Sequence, residues 1–222
     1  MAGNIQQQRH QVQQQRHEVP FLDWLESGSV TRITPAMVAA ELDRAPQQAQ
    51  SVGLNGWGCL HVAAYNLKGS MTDAEIRAIV ELLVERGADR DLLDIKGRRA
   101  VCYAAEKGLP ETTSFLMQSA AHPDAIQSIS ARTPAGLNLF HYAAVSCNAQ
   151  VVDLLVSFFP RDSAGLAQLN DAVNATTRQR EIPAHYAARS GSQAVLAALE
   201  RLGSLPALNR ARQTPRDILP LP

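Results

Sequence analysis

The sequence is poor in aromatic residues and contains no long apolar run. Phe, Trp and Tyr together form 5% of the 222 residues, which argues against a β-sandwich or β-barrel, because such folds depend on aromatic and β-branched residues. No run of about 18 apolar residues occurs, so the sequence predicts no transmembrane helix. The N-terminal segment lacks an apolar stretch, and we therefore expect no ordinary secretory signal.

The chain also has few cysteines and no net charge. The three cysteines, Cys59, Cys102 and Cys147, form no C-x-x-C pair, and we interpret them as reduced, buried thiols of an intracellular protein. The formal net charge is zero, which gives no support to general binding of nucleic acid or membranes. Of the 21 cationic residues only three are lysines. Two explanations of that bias remain open. One is codon usage in a GC-rich genome, and the other is a binding face that uses bidentate arginine.

Alanine and leucine dominate what is present. The chain has 34 Ala and 25 Leu, a composition that favours helices packed closely through small residues. Its length suits one large domain or one repeat array.

The N-terminal quarter divides into two segments. Residues 1–19 contain two Gln-rich heptads with Ile5, Val12 and Val19 at equivalent places. The companion positions are polar, so we expect a frayed helix or disordered tail rather than a coiled coil. Residues 20–53 are predicted to form a helical cap, in which Thr34 caps a helix that starts at Pro35.

A repeated pattern fills the rest of the chain. Each copy has a turn, a segment reading His-x-Ala-Ala or a close variant, and, in most copies, an apolar second segment that ends near a glycine. The copies begin at residues 56–64, 97–105, 136–144 and 180–188, with a partial fifth at 212–219. This pattern resembles the ankyrin repeat over about residues 54–222.

The resemblance implies an all-α solenoid of stacked helix-turn-helix units, with short β-turn fingers and helical caps. The copies are spaced more widely than the usual repeat of about 33 residues, which predicts insertions near 66–72, 122–132 and 160–177. The third insertion is long enough for an extra helical turn through Leu166, Leu169 and Val173. No copy keeps the full Thr-Pro-Leu-His sequence, so we expect a less stable array than a consensus protein.

The histidines His61, His141 and His185 fill one slot in successive copies. The resemblance implies that they bond backbone groups that link repeats, and we expect neither a metal site nor a cofactor. Tyr103 and Lys107 match the Y-x-x-x-K pair of short-chain dehydrogenases, but they fall within the repeat register and we interpret the match as chance. With no other catalytic constellation in the sequence, we expect no enzyme.

Aromatic residues of the inner helices and arginines of the turns are the candidate partner-binding residues. They are Trp57, Tyr65, Arg98, Arg99, Tyr103, Tyr142, Arg178, Arg180 and Tyr186. Two alternatives remain open at this point: the tyrosines fill space between repeats, and the arginines are solvated turn residues.

The predicted function is a protein-protein interaction module, a scaffold or adaptor that binds a protein partner with an acidic patch through its concave face. We expect a cytoplasmic monomer that binds neither nucleic acid nor membrane. Degenerate, Arg-rich repeats favour a bacterial protein, and the Gln-rich segment suits an effector delivered into the host cytosol. The alternatives are a regulatory or inhibitory subunit of an enzyme complex and a nucleic-acid-associated regulator.

Overall fold

The computed structural model describes residues 20–27, 33–53, 55–69, 71–118 and 124–219. Within these ranges the chain forms helices and one isolated antiparallel bridge between Val52 and Gly58, and no strand. The predicted tail of residues 1–19 lies outside them. The α-helices are α1 Pro20–Ser27, α2 Pro35–Arg44, α3 Cys59–Asn66, α4 Asp73–Glu85, α5 Ala100–Lys107, α6 Pro110–Met117, α7 Ala125–Ser130, α8 Leu139–Val145, α9 Ala149–Ser157, α10 Ser163–Val173, α11 Pro183–Arg189, α12 Gln193–Arg201 and α13 Pro215–Ile218.

The helices stack in two rows. An inner row runs α1, α3, α5, α8, α11 and α13, and an outer row runs α2, α4, α6, α9 and α12. Each helix packs on its neighbours in the same row, and from α3 to α11 an inner helix also packs on the outer helix of its own unit. This arrangement confirms the predicted all-α repeat solenoid.

Alanine pairs explain how closely the inner row packs. Both alanines of each His-x-Ala-Ala segment or its variant have no exposed surface, and they recur at 63–64, 104–105, 143–144 and 187–188. A small side chain lets two helix backbones approach each other. The outer row supplies the larger apolar side chains of the core, among them Leu83, Leu155 and Leu199.

The segment 33–53 begins its helix as expected. The Oγ1 of Thr34 accepts a hydrogen bond from the N–H of Met37, and Pro35 stands at the first helical position. Val38 and Leu42 are buried, while Met37 is 46% exposed. Because α1 packs on α3 and α2 on α4, these two helices extend both rows by one unit.

The insertions carry helical structure of their own. Helix α10 occupies the third interval with three turns rather than one, and it buries Leu169 and Val173 but exposes Leu166. Helix α7 occupies the second interval, was not anticipated, and buries Ser128 and Ile129. A short 3-10 helix, Leu67–Gly69, lies in the first interval.

The cysteines are placed differently from one another. Cys59 and Cys102 are buried, and burial raises the pKa of their thiols to about 12 and about 11. Cys147 is exposed, so the expectation of three buried thiols is wrong there. It lies two residues beyond the end of α8 with a φ of +58°, and this left-handed turn places it at the surface of the loop.

Candidate interaction surface

Five tight turns, which we call the fingers, each lead into an inner helix. They span residues 53–57, 94–98, 133–137, 177–181 and 209–213. In every finger the first N–H donates to the fifth carbonyl, and the fourth N–H donates to the first carbonyl. The sequences of the fingers differ, so their common backbone geometry is the repeated feature.

The fourth position of every finger is left-handed. Glycine occupies it in the first three fingers, where φ is +71°, +70° and +91°. The fourth finger has Arg180 there with φ +59°, and the fifth has Arg212 with φ +61°. A residue with a Cβ in this region costs about 1–2 kcal/mol relative to an ordinary conformation. The last two fingers therefore carry arginine at a backbone cost that glycine avoids.

Neighbouring fingers are joined by one backbone hydrogen bond. The N–H groups of Ile95, Arg178 and Arg210, each at the second finger position, donate over 3.1 Å to the third carbonyl of the preceding finger. In the third finger this position is Pro134, which has no N–H. The ladder is therefore interrupted between the second and third fingers.

The slot histidines link successive units, as the resemblance implied. The Nδ1 of His61, His141 and His185 accepts a bond from a backbone N–H three residues earlier, at 3.1, 3.2 and 3.1 Å. Each Nε2 lies at 3.1, 3.3 and 3.1 Å from a carbonyl oxygen of the next finger, and because a carbonyl only accepts, each Nε2 carries a proton and donates it. Burial lowers the pKa of His61, and it lowers that of His141 to about 4. Among the described residues no three His, Cys, Asp or Glu side chains are grouped as metal ligands.

Tyr103 is enclosed between the first and second repeats. Its ring is 1% exposed and meets Trp57 edge-on at 4.9 Å between centroids. Its hydroxyl donates to Oδ2 of Asp94 at 2.6 Å, and burial raises its pKa. This position corrects the expected role of Tyr103, because a ring inside the stack has no surface for a partner.

Tyr142 is a second correction of the same kind. It is 6% exposed, and burial raises its pKa. The other inner-helix aromatics are half-buried: Tyr65 lies under Nζ of Lys107 at 3.6 Å, and Tyr186 meets the ring of His141 at 5.3 Å. Trp57 is half-buried as well. The space-filling alternative therefore applies to Tyr103 and Tyr142, while partner contact by Trp57, Tyr65 and Tyr186 stays a prediction.

Arg98, the last residue of the second finger, and Arg99, which follows it, both bond to other residues of the array. Arg98 forms an ion pair with Asp94 at 2.8 Å and stacks over Tyr103. Burial alone would raise the pKa of Asp94, but hydrogen bonds from Tyr103 and Arg98 outweigh it and hold the pKa at about 2. Arg99 is 6% exposed and donates to the carbonyl and hydroxyl of Ser128 in α7. Their expected role as exposed contact residues is corrected by these bonds.

Arg178 and Arg180 are exposed, and so are Arg210 and Arg212. These four, which we call the finger arginines, occupy the second and fourth positions of the last two fingers. In the described part of the chain, none of them lies within ion-pair distance of a carboxylate. Seven other arginines do, namely Arg44, Arg77, Arg86, Arg98, Arg99, Arg189 and Arg216.

A cleft of about 390 Å³ separates the two insertion helices α7 and α10. Its lining includes Asp124 and Asp171, which are both exposed, together with Arg132 and Asn138. None of the described helices has the length and apolar character to span a bilayer.

Comparison with known proteins agrees with this architecture. A family model of ankyrin repeats matches three copies over residues 60–164. The chain is also similar to the human ankyrin repeat domain-containing protein 63, with 33% identity over 103 residues. That match covers 46% of this chain and 26% of the human protein, so the chain spans about a quarter of that relative. The family match, the stacked helix pairs and the linking histidines together show ankyrin repeats over residues 60–164, and such repeats indicate a protein-protein interaction module.

Proposed function

We propose that this protein is an adaptor that recognises an acidic segment of a protein partner through the fingers of its last two units. The observation that carries the proposal is the set of four finger arginines, which are exposed and have no carboxylate at ion-pair distance within the described residues. Guanidinium groups bind carboxylates in a planar, bidentate geometry. Two stacked fingers present these groups in two equivalent pairs.

Backbone conformation supports the same assignment. Arg180 and Arg212 stand at left-handed positions where the first three fingers have glycine. A residue kept in a costly conformation is a reason to look for a function at that position. A guanidinium that binds a partner is such a function, whereas a merely solvated arginine gains nothing from the site.

Three of the expected aromatic residues extend the proposed surface along the array, with Tyr186 in the fourth unit and Trp57 and Tyr65 in the first. Trp57, Tyr65 and Tyr186 keep part of their rings exposed, and Tyr186 follows the fourth finger directly on α11. Large, rigid aromatic rings are frequent anchors of protein interfaces. We include them in the proposed contact surface on the concave side and leave Tyr103 and Tyr142 out.

The test removes two finger arginines and compares them with two arginines elsewhere. Arg178→Ala with Arg210→Ala is expected to weaken binding of a fluorescent Glu-rich peptide about tenfold, because two charge-assisted contacts are lost. Arg161→Ala with Arg201→Ala changes the net charge equally at two exposed positions outside the fingers. That control is expected to bind within about twofold of the unsubstituted protein. Fluorescence anisotropy measures all three dissociation constants.

Two outcomes would contradict the proposal. Equal weakening by both double variants would show attraction to the overall charge rather than to the fingers. Tighter binding of a single-stranded oligonucleotide than of the peptide, with a steep dependence on salt, would favour the nucleic-acid-associated regulator instead.

An effector role in a host cell is a separate part of the proposal. It rests on the degenerate, Arg-rich repeats and on the Gln-rich residues 1–19. Its test fuses residues 1–19 to a translocation reporter in a bacterium with a host-directed secretion system. Absence of the reporter from the host cytosol would remove this role and leave binding by the fingers untouched.

A further inference from the structure

The second finger position changes character along the array. In the four fingers described in full it holds, in order, Ile95, Pro134, Arg178 and Arg210. All four residues are exposed, and Ile95 is 71% exposed, more than the other large apolar side chains of the described core units. Because these fingers share one backbone geometry, the four side chains leave the array at equivalent points. Along the array, the side chain at the second finger position therefore changes from apolar to basic.

An isolated exposed apolar side chain is ordinary at a protein surface. Ile95 is not isolated, because Leu93 beside it in the chain is 56% exposed and Pro134 packs against Gly97 in the same finger as Ile95. Ile95 and Leu93 lie two fingers away from Arg178, whereas Pro134 lies in the finger next to it, and Leu208 before the fifth finger is 50% exposed. The second finger and the last two still differ at the second finger position itself, which is apolar at Ile95 and basic at Arg178 and Arg210.

We infer that the partner's binding segment is an extended peptide with two parts, an apolar residue that packs on Ile95 and an acidic run that pairs with the finger arginines. The inference rests on the proposed function and adds the order and separation of the two parts. Positive charge at one end selects the acidic run, and exposed apolar surface at the other selects the apolar residue.

The geometry of the array gives the separation. Neighbouring units stack with a spacing of about 10 Å, as packed helices do. The second finger is two units away from the fourth, so the two parts of the surface lie about 20 Å apart. An extended chain spans this distance with about six residues. A segment that is folded as a helix would need about 13 residues for the same distance.

The experiment uses two probes and three proteins. One probe is a fluorescent run of glutamates, and the other carries the same run joined through a linker of about six residues to a leucine. The proteins are the unsubstituted chain, Ile95→Ser and Leu166→Ser. Ile95→Ser keeps the backbone N–H that bonds Asn55, and Leu166 is a comparably exposed apolar residue on α10, outside the fingers.

In the unsubstituted protein and in Leu166→Ser, the probe with the leucine is expected to bind about tenfold more tightly than the probe without it. In Ile95→Ser the two probes are expected to differ by less than about twofold. Shortening the linker to about two residues is expected to remove the advantage, because the two ends cannot then be reached together. If the leucine adds nothing while the glutamate run still binds through the finger arginines, the two-part segment is wrong and the proposed function stands. If neither probe binds, both are wrong.

Discussion

Replacing His141 by alanine is expected to lower the free energy of unfolding by about 3–5 kcal/mol. The imidazole bonds the N–H of Asn138 and the carbonyl of Glu181, and both partner residues are buried. Each buried group left unsatisfied costs about 1–3 kcal/mol, and the lost ring leaves a cavity. Urea unfolding followed by circular dichroism measures the change.

His185→Ala is the graded control for that variant. Its Nε2 donates to the carbonyl of Gln213, an exposed residue in the last finger. Water can replace the lost partner there, so we expect about half the loss found for His141→Ala. A loss below about 1 kcal/mol for His141→Ala would show that the linking histidines do not hold the units together.

Acid is expected to destabilise the array before its carboxylates titrate. Burial lowers the pKa of His141 to about 4 from an ordinary value of 6.5. Between these two values the unfolded chain binds a proton that the folded chain does not, so stability falls as the pH falls. The stabilisation is complete above about pH 6.5, and about 3 kcal/mol of it is lost by about pH 4.

Unfolding free energies measured from pH 7 down to about pH 4 test this expectation. His61, whose pKa burial also lowers, adds a contribution of the same sign. His141→Gln should flatten the profile in that range, because the variant has one fewer group to protonate in the unfolded state. A profile as steep in the variant as in the unsubstituted protein would assign the acid effect to other groups.

The fold could be predicted from the sequence because its local patterns repeat. The turn, the His-x-Ala-Ala segment or its variant and the apolar outer helix recur in the first four copies, and a repeat cannot bury its faces without its neighbours. The role of the histidines followed from the family resemblance. The helical nature of the third insertion was visible in its apolar spacing, although the structure gives it three turns. Helix α7 has only six residues, which is too short for an apolar periodicity to predict it from the sequence.

The candidate site was harder to predict because burial depends on the neighbouring unit. Nothing near Tyr103 in the sequence shows that Asp94 and Trp57 enclose its ring, or that Ser128 of an insertion engages Arg99. The sequence does contain a pattern that marks two of the finger arginines. Aligning the copies places Arg180 and Arg212 in a slot that is otherwise glycine, and a left-handed position explains why that substitution is unusual.

The most direct test of the account is the double variant Arg180→Gly with Arg212→Gly. Glycine relieves the left-handed strain at both positions but increases the flexibility of the unfolded chain, so stability should stay equal or rise by up to about 1 kcal/mol per site. Binding of the Glu-rich peptide should nevertheless weaken about tenfold, because two guanidinium groups are gone. Calorimetry and anisotropy on one sample measure both quantities. A variant that is as stable as the unsubstituted protein and still binds the peptide with unchanged affinity would contradict the assignment of the fingers as the interaction surface.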